Sequence, residues 1–202
     1  MDTHNLPNRS DDLKEVSKAF GKDVYAKALQ KFKLAAKKGN ADAQFSLGVM
    51  YFKGEGVAQN DRVALKWFRL AAKQGEANAQ HNLGVMYNEG MGVPQDYQTA
   101  LKWYRLAAKQ GDANAQNSLG KVYAEGLGVP QDGKAAERWY RLAAKQGNAD
   151  AQFNLGVMYI AGQGVPQDDK AALKWFRLAA EQGVAEAQAA IDAMYAEGRV
   201  AD

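Results

Sequence analysis

The sequence contains no cysteine. Disulfides, thiolate metal sites and cysteine nucleophiles are therefore excluded, and composition leaves no trace of a redox compartment. Only two histidines occur in 202 residues, His4 and His81. One is near the start and the other stands alone, so no histidine pair is available for a metal, and no cofactor is expected. No apolar run approaches the roughly 18 residues needed to span a bilayer. The opening stretch, MDTHNLPNRSDDLKE, lacks the apolar segment of a signal peptide. These absences point to a chain with no membrane partner. It is expected in the cytoplasm as written, or in the periplasm or outside the cell if a signal peptide has been removed. A net charge of +3 does not by itself direct the chain to nucleic acid.

What is present is repetition. Gly39, Gly75, Gly111, Gly147 and Gly183 recur every 36 residues, and Gly48, Gly84, Gly120 and Gly156 keep the same step. So do the four tryptophans, Trp67, Trp103, Trp139 and Trp175, and the tyrosines from Tyr51 to Tyr195. A fixed period of this size marks stacked supersecondary units, each touching only its neighbours. Two helices are predicted per unit. The first runs over Ala41–Lys53 and the second over Asp61–Gln74, with copies in register. Gly54, Gly90, Gly126 and Gly162 fall where a left-handed residue ends the first helix. Pro94, Pro130 and Pro166 then block continuation, and Asn60, Asp96, Asp132 and Asp168 stand as N-caps of the second helix. The recurring Ala64, Trp67, Phe68, Ala71 and Ala72 suggest a wide buried arc, and Gly48 suggests close helix approach.

The organisation that follows is a flexible tail over 1–9 and a degenerate capping repeat over 10–39, whose first helix is Ser10–Phe20. Four full repeats cover 40–183, and a capping helix and tail fill 184–202. In that last helix Asp192 replaces the repeated glycine. The fold class is all-α, a right-handed α-solenoid of stacked antiparallel helix hairpins.

The pattern Gln44-x-x-Leu47-Gly48-x-x-Tyr51, followed by Ala64-x-x-x-Phe68, resembles the tetratricopeptide signature, with Gln where that family often has Trp. The blocks A-x-A-Q-x-N-L-G-x-M-Y, G-x-G-V-P-Q-D and A-L-K-W-F/Y-R-L-A-A-K-Q-G are similar to the Sel-one-like repeat family of that superfamily. The resemblance implies a non-enzymatic adaptor or scaffold that holds a protein or peptide on a concave face. One cysteine-rich branch of the family is linked to penicillin binding and β-lactamase activity, which keeps a β-lactam or cell-wall hydrolase as an alternative. This chain lacks those cysteines. A third alternative is self-association through exposed ends at Ser10–Phe20 or Ala185–Glu197.

By the same resemblance the first helices line the concave face, and their outward positions differ from copy to copy. They are Phe45, Val49 and Phe52 in the first full repeat, and His81, Val85 and Asn88 in the second. The third contributes Asn117 and Lys121, and the fourth Phe153, Val157 and Ile160. These side chains suit a peptide groove with apolar anchors and central amides. They equally suit packing against the next unit. The second helices carry a basic column: Lys66, Arg69 and Lys73, with copies through Lys174 and Arg177. It would attract acidic or phosphate-rich partners, or simply be a solvated face. No aromatic platform for RNA lies beside it, which argues against nucleic acid. Ser118-Leu119-Gly120-Lys121 spells the S-x-x-K acyl-transfer motif, but neither S-D-N nor K-T-G follows. No catalytic residue is assigned.

Overall fold

The computed structural model describes residues 22–200, with side chains from Lys27 onward. The predicted tail over 1–9 and the helix Ser10–Phe20 lie outside the described residues. Among those described there are ten helices and no strand. They are α1 (Lys22–Lys37), α2 (Ala41–Lys53), α3 (Asp61–Lys73), α4 (Ala77–Glu89), α5 (Tyr97–Lys109), α6 (Ala113–Glu125), α7 (Gly133–Lys145), α8 (Ala149–Ala161), α9 (Asp169–Glu181) and α10 (Ala185–Ala196).

The predicted punctuation is present. Gly54, Gly90, Gly126 and Gly162 take φ of 74°, 71°, 72° and 65° respectively, and donate their N–H to the carbonyl four residues back. A left-handed residue with no Cβ strain is what such a helix stop requires. The N-cap carboxylates of α7 and α9, Asp132 and Asp168, each accept from the amide three residues on. Asn60 does the same for α3 at 3.0 Å.

The chain divides into two compact units, one ending at Gln95 and the other beginning at Asp96. In the first unit α1 packs on α2, α2 on α3 and α3 on α4, and α2 also touches α4. In the second, α5 to α10 pack in the same sequential manner, and α6 also touches α8. Each unit is thus all-α, built of antiparallel helix hairpins stacked in chain order.

The expected buried arc needs one correction. Trp67, Trp103, Trp139 and Trp175 are half-buried, whereas the following ring is enclosed: Phe68 has no exposed surface and Tyr140 is 4% exposed. Adjacent helical positions lie about 100° apart. The ring at 68 or 176 therefore points at the first helix of its own repeat. The tryptophan turns to the seam between its own first helix and the previous hairpin: Trp67 packs on the cluster of Ala36 from α1 with Ala43, Leu47 and Met50 from α2, and Trp175 on that of Tyr140 from α7 with Leu155 from α8. Repeated glycine makes room for the ring. A Cβ on Gly48, Gly120 or Gly156 would overlap Phe68, Tyr140 or Phe176. On α10 Asp192 is exposed in the glycine's place.

Candidate functional site

In the first unit Phe45, Gly48 and Phe52 share one face of α2 at i, i+3 and i+7. The Phe68 ring rests on Gly48 between the two phenylalanines, with ring centroids 5.8 Å from Phe45 and 6.3 Å from Phe52. Both flanking rings are half-buried. Val49 is only 8% exposed, so it offers little to a partner. On the neighbouring α4, His81, Val85 and Asn88 are half-buried. Asn88 donates through Nδ2 to Glu89 Oε1 at 2.7 Å, and its own Oδ1 is enclosed without a donor.

The second unit repeats this layout on α6 and α8. The Phe176 ring rests on Gly156, 5.6 Å from the Phe153 ring, and Ile160 packs in the same cluster. Val157 is 40% exposed. On α6 the Tyr140 ring rests on Gly120, flanked by the positions of Asn117 and Ala124. Burial, and secondarily the Glu125 carboxylate, push the Tyr140 phenol well above its ordinary pKa. Asn154 Nδ2 donates to Asn117 Oδ1 at 3.1 Å, tying α8 to α6, and Asn148 Nδ2 donates to Asn114 Oδ1 at 2.9 Å. Lys121 is exposed, with Nζ 4.0 Å from Glu125. Thus Phe45 and Phe52 meet on Phe68, and Phe153 and Ile160 meet on Phe176. The polar members are His81 and Asn88 on one unit's face and Asn117 and Lys121 on the other's.

A coupling emerges that position-by-position reading does not reveal. Where the core ring is Phe, at 68 and 176, its flanks are apolar. Where it is Tyr, at 140, the flanks are Asn117 and Ala124. Tyr104 stands in the repeat that carries His81 and Asn88. A phenol sunk between helices needs more polar surroundings than a phenyl ring does. Part of the variation among repeats therefore follows the core.

Two bonding patterns went unrecognised in the sequence. Gln44, Gln80, Gln116 and Gln152 are buried, and each donates to the carbonyl eight residues earlier, as Gln44 does to Ala36 at 3.0 Å. Gln44 Oε1 also accepts from Gln74 at 2.8 Å, and Gln116 and Gln152 accept likewise from Gln146 and Gln182. The amide is thus satisfied at both ends. Second, the arginines of the basic column donate to tyrosine hydroxyls 18 residues on: Arg69 to Tyr87 at 2.5 Å, Arg105 to Tyr123 at 2.7 Å, and Arg141 to Tyr159 and Arg177 to Tyr195 at 2.6 Å. Arg141 also binds Glu137 at 2.6 Å, which raises its pKa. The regular spacing of Arg and Tyr was the available signal.

Ser118 and Lys121 of the S-x-x-K motif lie one turn apart on α6, with Ser118 half-buried. Among the described residues no group of three His, Cys, Asp or Glu is placed to hold a metal, and no helix is long and apolar enough to cross a membrane.

The Sel1 repeat model matches four times in succession, over residues 41–76, 77–112, 113–148 and 149–184. The chain belongs to the Sel1 repeat family. Solved structures agree. A Sel1 repeat protein from Oxalobacter formigenes is 35% identical with a TM-score of 0.83, covering 94% of this chain and 76% of that one. A protective antigen present in uropathogenic Escherichia coli strains, displaying an SLR fold, is 36% identical with a TM-score of 0.79. That alignment covers 96% of this chain but 45% of the E. coli protein, so this chain spans less than half of that relative. Helicobacter pylori cysteine rich protein B shares the fold at 24% identity and a TM-score of 0.51, over 65% of this chain and 94% of that one. No curated protein matches. Sel1 repeat proteins are in general protein-interaction scaffolds.

Proposed function

We propose that this Sel1 repeat chain is a non-enzymatic adaptor that holds a protein or peptide on its first-helix face, the face assigned as concave by the tetratricopeptide resemblance. The observation that carries it is Asn88: a side-chain oxygen enclosed on α4 with no donor, beside the half-buried His81 and Val85. An enclosed acceptor left unpaired is costly, and an incoming N–H from an extended backbone satisfies it. In the other unit the exposed Val157, the half-buried Phe153 and Ile160, and the amides around Asn117 offer an apolar anchor next to hydrogen-bonding groups. Val49 is left out of the contact surface because it is buried.

A photo-crosslinking residue placed at Val85 or Val157 tests this, using proteins co-purified from the native host. The expected outcome is one partner captured from both positions, and none from Lys109 or Lys145 on the second helices. Capture should fall at least about tenfold in Asn88→Ala, a loss typical of one buried hydrogen bond. Capture from the second-helix positions alone would move the site off this face.

A further inference from the structure

The second helices present something the first do not. In the second unit Leu106 on α5 and Leu142 on α7 are 45% and 47% exposed, an uncommon setting for leucine when it recurs at one position of successive helices. In the other unit Leu34 and Leu70 hold the same position, 60% and 38% exposed. Each leucine has exposed cations one turn to either side. Lys102 and Lys109 flank Leu106, and Arg138 and Lys145 flank Leu142. The column arginines are held by tyrosine hydroxyls, and Glu137 is held by Arg141.

On α9 the same face ends in a cavity of about 490 Å³. Lys170, Lys174, Arg177 and Arg199 line it, over an apolar floor that includes Leu173 and Leu178. Arg177 donates to Tyr195 at 2.6 Å, and Arg199 pairs with Glu197 at 2.7 Å and Asp169 at 3.5 Å. Among the described residues Lys170 and Lys174 have no carboxylate partner. Two unneutralised ammonium groups one turn apart repel each other, and an anion between them relieves the repulsion. Glu181, exposed at the end of α9, is the one acid on these three helices not bound by a described arginine.

We propose that this second-helix face of the second unit docks on an anionic lipid leaflet, with one headgroup held in the α9 cavity by Lys170 and Lys174. The occupant follows from what the face contains. Leucine gives a nucleic acid nothing to stack on, whereas acyl chains accept it. Protein partners seat anchors in shaped pockets, and the surface of α5 and α7 instead repeats one motif. A lipid leaflet is itself uniform, negative on its surface and apolar beneath, so a repeated leucine among cations matches it. Surface docking needs no spanning helix.

The test is co-sedimentation of the full chain with vesicles. Equimolar phosphatidylglycerol and phosphatidylcholine should retain it, and phosphatidylcholine alone should not. Each basic residue near such a surface strengthens binding about fivefold, so Lys170→Glu with Lys174→Glu should weaken it at least tenfold. Leu106→Ser with Leu142→Ser should weaken it several-fold, with helical circular dichroism unchanged in both variants. Lys53→Glu, exposed at the end of the first helix α2 and outside this face, should leave binding as it was. Failure to sediment with the anionic vesicles overturns the proposal, as does equal loss with Lys53→Glu. Loss confined to the lysine variant, with full displacement by inorganic phosphate at matched ionic strength, makes the cavity a free-anion site and also overturns it.

Discussion

A single hydrogen atom sets the distance between the two helices of the hairpins that carry Gly48, Gly120 and Gly156. Gly156 leaves its face of α8 bare, and the Phe176 ring lies on it. Gly156→Ala should therefore destabilise the fold by about 1–3 kcal/mol through overpacking, although Ala is the better helix former by about 1 kcal/mol. Denaturant melts should show the loss shrinking when Phe176→Leu is added, because that ring is what the new methyl group meets. The glycine's role was legible in the sequence, since a mid-helix glycine kept in four copies has few other reasons to persist. The rings flanking it were not. Phe45, Phe52 and Phe153 vary between repeats and so look free to serve a partner, yet each packs on its own core ring. Variation there follows whether that ring is Phe or Tyr, a coupling between helices that no single position displays. Tryptophan misled in the opposite way. It is strictly repeated, but its direction is set by the 100° step from its neighbour, so it is half-buried at the seam between its own first helix and the preceding hairpin.

Helix ends explain why the element boundaries could be read closely. Gly54 and Asn60, with their copies, occupy fixed offsets, and each has a chemical task that few residues perform. The first helices begin less legibly. Their caps are Asn40, Glu76, Asp112 and Asn148, three residue types doing one job. Asp96, the cap of α5, accepts from both the hydroxyl and the amide of Thr99, at 2.6 and 3.0 Å. Those bonds, the hydroxyl's first, hold its pKa below the ordinary value of 3.8. Its folded pKa is depressed, so its stabilisation is fully present above that ordinary value and is lost as pH falls through the depressed one. Amide exchange in the first turn of α5 should accelerate below about pH 4 relative to Asp96→Asn, which caps without titrating. An identical acid response in the two proteins would mean that the carboxylate is not the group responsible. The column of cations on the second helices shows the limit of helix-level reading. Spacing places Arg105 and Lys109 on one face, but only the structure shows the guanidinium donating to Tyr123 while the ammonium stays exposed.

Stacked hairpins distribute stability unevenly along the second unit. Tyr140 on α7 belongs to a cluster that α6 and α8 help to build, whereas Ile191 on α10 packs mainly with α9. Truncating Tyr140 to Ala should cost about 3–5 kcal/mol and raise hydrogen exchange across α6 and α8 as well as α7. Ile191→Ala should cost about 2–4 kcal/mol, with faster exchange confined to α9 and α10. Uniform exchange changes in both variants would show a single cooperative block instead of neighbour-by-neighbour coupling. The stacking itself was legible from the 36-residue period, because each unit's apolar seams need a neighbour to cover them. The bonds that join hairpins were not, being carried by Arg, Tyr and Gln side chains that also suit solvent. Those bonds have a genetic consequence. The arginine and its tyrosine are 18 residues apart, and the paired glutamines 30. Both separations are shorter than one period. An in-frame duplication of one period of coding DNA thus brings its own copies of these pairs, and a deletion of one period strands none of them. Such a gene can gain or lose hairpins by recombination between its own repeats, with the arginine–tyrosine and glutamine bonds already matched.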